Sequence, residues 1–205
     1  MSRNKRSGYK FYKFLKMKIG LFFGSFNPLH VGHKIIASYM AEFSNLDKVM
    51  FVISPQNPLK KKQSLLDQHQ RLMIIRMEIE DNPKLQVSDI EFSMPQPSYT
   101  IDTLVRLKEK YPENEYAIIM GADNLKNFHK WKNYQQILES YSIYVFPRPG
   151  FEINGIHENI HIVKDVPQME ISASFIRKSI SEGRDVSYLM PEKAWKYTDE
   201  MNLYR

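Results

Sequence analysis

The sequence predicts an α/β chain built on a Rossmann-like, doubly wound parallel sheet, and three observations predict it. Apolar runs of strand length recur at Ile19 to Phe23, Val49 to Ile53, Leu85 to Ile90, Tyr116 to Met120, Tyr141 to Phe146 and Ile160 to Val163. Segments with helical character separate them at intervals of about 20 to 40 residues, which is the spacing of βαβ units. The run Ile19 to Phe23 is also continuously apolar rather than alternating, as in a strand covered by helices on both faces.

The elements follow in order. Ile19 to Phe23 runs into Gly24-Ser25-Phe26-Asn27-Pro28, a turn rich in Gly, Asn and Pro. His30 and His33 then stand at the start of a helix whose apolar positions Ile35, Ile36, Tyr39, Met40 and Phe43 share one stripe. Asp67 to Ile79 reads as a second helix, stopped near Asn82-Pro83. Thr100 to Tyr111 is a third, with a cap at Ser98 or Thr100 and an end before Pro112. A helix over Tyr134 to Leu138 separates the fourth and fifth strands, and two short helices, Ser174 to Glu182 and Pro191 to Met201, close the chain.

Composition narrows the class. With 205 residues, 42% hydrophobic and 25% charged, the chain can bury one core, and a single domain is expected over 19–205. It has no cysteine, so neither a disulfide framework nor a Cys-based zinc site is available. No apolar run reaches membrane-span length and no signal-peptide core is present, which sets a cytoplasmic expectation with no membrane partner. Residues 1–18 hold seven basic residues and no acidic one, leaving 22 basic against 23 acidic in the remainder. The charge therefore belongs to a basic extension, expected to be mobile and given no function, rather than to a nucleic-acid-binding body. A homo-oligomer is left open.

In doubly wound sheets ligands bind beyond the carboxyl ends of the strands, so the loops after Phe23, Ile53, Met120 and Phe146 are expected to share one site. The first delivers Gly24, Ser25, Phe26, Gly32, His30 and His33 to a helix N-terminus, whose N–H groups and partial positive charge suit phosphate. No Gly-Lys-Ser or Gly-Lys-Thr follows, so it is not a Walker loop, and no carboxylate lies close enough in sequence to make the histidines a metal pair. After Met120, Gly121 and Asp123 suit ribose hydroxyls, with helix capping as the alternative for Asp123. Arg148 follows the fifth strand. Ile171-Ser172-Ala173-Ser174-Phe175-Ile176-Arg177 again puts hydroxyls and an arginine at a helix start, with an ordinary serine cap as the alternative.

Gly24-Ser25-Phe26-Asn27-Pro28 with His30-Val31-Gly32-His33 resembles the first signature of the HxGH nucleotidyltransferases. Together with Gly121-Ala122-Asp123-Asn124, Ile171 to Arg177, Ser98 to Leu104, the Trp131 region and the Leu203-Tyr204-Arg205 end, the chain from Lys18 to Arg205 is similar to bacterial nicotinate-nucleotide adenylyltransferases. It departs from them at Phe23, Ser25, Asn27 and Ala173, and in a Pro55 to Lys60 loop that lacks the family's histidine.

The resemblance implies transfer of AMP from ATP to nicotinate mononucleotide, giving deamido-NAD and pyrophosphate. It implies His30, His33 and Arg177 as catalytic residues on the phosphates, with Ser174 beside them. Gly24, Ser25, Phe26, Gly32, Gly121, Asp123, Arg148, Ile171 and Ser172 complete the ATP site. Thr100 and Trp131 would receive the nicotinate ring and carboxylate, with Lys60 and Arg71 as further contacts to anionic substrate. Mg2+ would be held mainly by ATP phosphates and water, with no protein ligand. The alternatives are another transferase of the superfamily, acting on nicotinamide mononucleotide or phosphopantetheine, or a nucleotide-sensing or RNA-binding protein working through the basic arm.

Overall fold

The computed structural model describes residues 16–55, 65–153 and 157–205. The expectations for the basic extension up to residue 15 and for Lys60 lie outside these residues. Within them, β1 (Lys18–Gly24), β2 (Lys48–Ile53), β3 (Leu85–Ser88), β4 (Glu115–Gly121), β5 (Ser142–Phe146) and β6 (Ile160–Ile162) form one sheet in the order β3-β2-β1-β4-β5-β6. Every pairing is parallel. The doubly wound expectation holds.

The continuous apolar runs are explained by what covers them. Along β1, Ile19 and Leu21 point into one core and Phe22 into the other. Along β5, Ile143 and Val145 oppose Tyr144 and Phe146 in the same way. The face holding Phe22 is covered by α1 (Val31–Phe43), α2 (Gln68–Ile79), α6 (Ala173–Ser181) and α7 (Glu192–Glu200), through Ile36, Ile75, Ile176 and Ala194. The opposite face takes α3 (Thr100–Lys110) and α5 (Tyr134–Ser140) through Leu104 and Ile137. Because side chains alternate at period two while both faces are covered, neither set can be polar.

Three details depart from expectation. The third strand stops at Ser88, whose hydroxyl accepts from the Ile90 N–H at 3.2 Å, and a 3-10 turn over Ile90–Ser93 follows. This local side-chain bond offers the backbone an alternative to the ladder. Phe43 is 72% exposed, because α1 presents Ile36 and Met40 together with the small Ala37 and Ala41 to the sheet, so its stripe is turned away from Phe43. A short helix α4 (Ala122–Lys126) and a 3-10 turn over Phe128–Lys130 fill a stretch that periodicity left unassigned. Among the described residues no helix is long and apolar enough to cross a membrane.

Candidate active site

The chain leaves β1 towards β2 and leaves β4 towards β5, so the strand order reverses between β1 and β4. This topological switch point is where a doubly wound sheet opens a crevice. The loop after β1 meets Ser54 and Pro55 at the end of β2, joined by the Ser54 N–H to Gly24 carbonyl bond, and the loops after β4 and β5 face each other through Asp123 and Arg148.

In the first loop Phe26 adopts a left-handed φ of 45° and turns its ring into the core, edge-on to Phe51 at 5.2 Å and to His33 at 5.1 Å. A Cβ on Gly24 would stand 2.9 Å from that ring, so the glycine makes room for it. The Phe26 side chain is thus a core anchor, and only its backbone faces the crevice. His30 caps α1, whose first turn carries no acidic residue. The His30 N–H donates to His33 Nδ1 at 3.3 Å, which leaves the proton of a neutral His33 on Nε2. The two rings stack at 3.6 Å. Gly32 again provides space, since its Cβ would lie 3.1 Å from His30 Nδ1. Burial first, and then the charge of Arg148, lower the His30 pKa to about 4, so its imidazole is neutral at pH 7.

Across the crevice, Asp123 is at the start of α4, but the cap position is Gly121 and no side-chain cap bond is made. The capping alternative for Asp123 is therefore set aside. Its Oδ1 would be 2.3 Å from a Cβ on Gly121, and it faces Arg148 Nε at 3.8 Å. Arg148 in turn lies over the Phe146 ring, 5.2 Å from its centre. The His30 ring meets the His33 N–H in a capping box at the α1 start, while the buried Asp123 Oδ1 has no hydrogen-bond partner. Buried polar atoms are nearly always paired, so this orphan at the edge of the crevice points to a ligand that completes it.

The last segment divides its hydroxyls. Ser172 caps α6 by accepting from the Phe175 N–H at 3.1 Å, which leaves its own O–H proton available to donate. Ser174 accepts from Arg177 at 3.3 Å, and Arg177 donates to the Asn27 carbonyl at 2.6 Å, closing α6 onto the first loop. Ile171 packs on the core. Asn27, which sequence reasoning passed over, is a hub: its Oδ1 accepts from the Leu66 N–H at 3.1 Å and from the Tyr204 hydroxyl at 2.8 Å. Burial pushes the Tyr204 phenol pKa up, against the pull of Arg177 and Arg71, so it remains a donor.

Arg71 also departs from expectation. It is 1% exposed and donates to the carbonyls of Leu66, Ser25, Ser54 and Pro55. Its guanidinium fastens the loops after β1 and β2, so it positions the site from beneath rather than meeting substrate. Thr100 opens α3 after Tyr99, with no side-chain cap on the helix. Trp131 is half-buried and braced by Phe128 at 5.4 Å. Lys132 pairs with Asp102 at 2.8 Å and lies over the Tyr99 ring, joining the α3 start to the Trp131 segment. Glu91, buried behind this turn, was also missed; an acidic residue between Ile90 and Phe92 was its one trace. No three His, Cys, Asp or Glu side chains among the described residues group as a metal site.

Comparison with known proteins fits this arrangement. The cytidylyltransferase-like family model matches residues 21–179. A protein of Flavobacterium johnsoniae named probable nicotinate-nucleotide adenylyltransferase is 53% identical over 193 residues, covering 92% of this chain and all of that one. One of the same name from Bacteroides thetaiotaomicron is 42% identical over 187 residues, 90% of this chain and 92% of that one. Among solved structures, a Plasmodium falciparum nicotinic acid mononucleotide adenylyltransferase complexed with NaAD superposes with a TM-score of 0.76 at 20% identity, covering 92% of this chain and 97% of that one.

Proposed function

Because the chain belongs to the cytidylyltransferase-like family, and within it to the nicotinate-nucleotide adenylyltransferases, we propose that it transfers AMP from ATP to nicotinate mononucleotide. A phosphate oxygen of the mononucleotide attacks the α-phosphorus of ATP. The bond from that phosphorus to the bridging oxygen breaks, and pyrophosphate leaves with the electron pair. A phosphate monoester is already nucleophilic near neutral pH, so the protein supplies alignment and charge neutralisation rather than a base.

The observation that carries this reading is the meeting of the stacked His30 and His33 at the α1 start with Arg177 from α6, both fastened to the same Asn27-containing loop. On this reading His33, with its proton on Nε2, and the first-turn N–H groups of α1 hold the transferring phosphate. Neutral His30 adds a hydrogen bond, and Arg177 with Ser174 takes the leaving pyrophosphate. Arg148 offers a further positive charge beside His30. Asp123 Oδ1 finds its missing partner in a ribose hydroxyl, close to the backbone that Gly121 leaves open. The N–H groups at the start of α3, at Thr100, meet the nicotinate carboxylate, and Trp131 stacks on the pyridine ring. Magnesium bound to the phosphates would spread their charge, and the protein needs no cage of its own for it.

The test is pyrophosphate release by the purified protein with ATP and magnesium, comparing nicotinate mononucleotide, nicotinamide mononucleotide and phosphopantetheine. Turnover at least about tenfold faster on the nicotinate form is expected, because an unfilled carboxylate site costs a polar contact. Preference for another acceptor would refute the assignment of Thr100 and Trp131.

A further inference from the structure

Glu91 has no part in these roles, yet it is 2% exposed and fully engaged. Its Oε2 accepts from the Ser98 hydroxyl at 2.6 Å and its Oε1 from the Thr103 hydroxyl at 2.8 Å. Its main-chain carbonyl accepts from the Gln96 side-chain amide at 3.0 Å. Ser98 and Thr103 flank Tyr99 and Thr100, where α3 begins, so one side chain grips the turn from both sides. The Ser54 side chain also acts on the same carboxyl group, favouring its charged form. Ser54 is in turn held through its carbonyl by Arg71 at 2.9 Å, and the same Arg71 nitrogen holds the Ser25 carbonyl at 2.7 Å.

Burying a carboxyl group costs free energy that its hydrogen bonds only offset, and an apolar residue would fill the space more cheaply. What an apolar residue could not do is join the loop after β2 to the first turn of α3. We propose that Glu91 is a positioning residue of the acceptor site: it fixes the α3 turn against the Ser54 loop and so sets affinity for the acceptor mononucleotide rather than for ATP. This rests on the reading that the α3 turn receives that mononucleotide. Ser25 and Ser54 remain on Arg71 whatever stands at position 91, so the phosphate loop keeps its frame.

The experiment is steady-state kinetics of the full chain with both substrates varied, for Glu91→Ala, Glu91→Gln and Thr103→Val. Glu91→Ala is expected to raise the acceptor KM about tenfold or more while the ATP KM stays within about twofold. Glu91→Gln keeps the shape and can still bond both hydroxyls, so it should return the acceptor KM to within about threefold of the wild type. Equal changes in both KM values, or none, would overturn the proposal. Should Glu91→Ala fail to fold, Thr103→Val decides: a rise of about threefold or more in acceptor KM alone is expected, and an unchanged value contradicts the role. If the wild type prefers a different acceptor, the functional reading fails separately, and the same variants measured with that acceptor still decide what Glu91 does.

Discussion

His30 shows how burial chooses a chemistry. With its pKa lowered to about 4, the folded protein leaves it neutral where the unfolded chain, near 6.5, takes up a proton. The unfolded state then binds more protons between those values, so stability falls as pH drops from about 6.5 towards 4, by on the order of 3 kcal/mol for this group. Urea unfolding of wild type and His30→Gln at pH 7 and pH 4.5 checks this: the wild type should lose more over that interval. Arg71 makes the opposite use of burial, remaining charged among four carbonyl groups. Arg71→Met strands those carbonyls and should cost at least about 3 kcal/mol in the same assay. Neither role was legible in the sequence. An arginine in an amphipathic helix looks alike whether its partners are phosphates or main-chain carbonyls, and those partners lie up to 46 positions away.

Among the elements, the loops after β1 and β4 each carry a glycine that leaves room for a neighbouring side chain to fold back. Gly121 is the sharpest case, since a methyl group there collides with Asp123 Oδ1 and also meets Phe146 at 3.1 Å. Gly121→Ala should therefore displace Asp123 and raise the ATP KM about tenfold, with the acceptor KM little changed, in initial-rate measurements. The loops themselves were legible, because Gly, Asn and Pro end an apolar run wherever a strand must stop. The long helices were legible too, Asp67 serving as the cap of α2 by accepting from the His69 N–H. What escaped were α4 and the 3-10 turns, too short to show a period, and the rotation of α1 about its axis. That rotation follows from the closeness Ala37 and Ala41 allow against the sheet, a property of the partner surface rather than of the helix.

For the whole molecule, the strand order decides where everything else must go. It places the loops of β1 and β4 side by side at the switch point, and the two arms of the chain then return to the same loop: α6 through Arg177 and the C-terminal Tyr204 through Asn27. Tyr204→Phe removes one of these ties and should lower stability by about 1 kcal/mol, read as a shift in urea midpoint at unchanged slope. The motifs around Gly24 to His33 were legible in the sequence because glycines, histidines and a helix start stand close together in the chain. The ties between distant segments left no such pattern. In the proposed reaction His33 serves the transition state at the transferring phosphorus. The most direct test of this role is His33→Ala, measured for kcat with nicotinate mononucleotide and, separately, for ATP affinity. A fall in kcat of about a hundredfold or more, with ATP affinity within about threefold of the wild type, is predicted. A variant that keeps its kcat would contradict it.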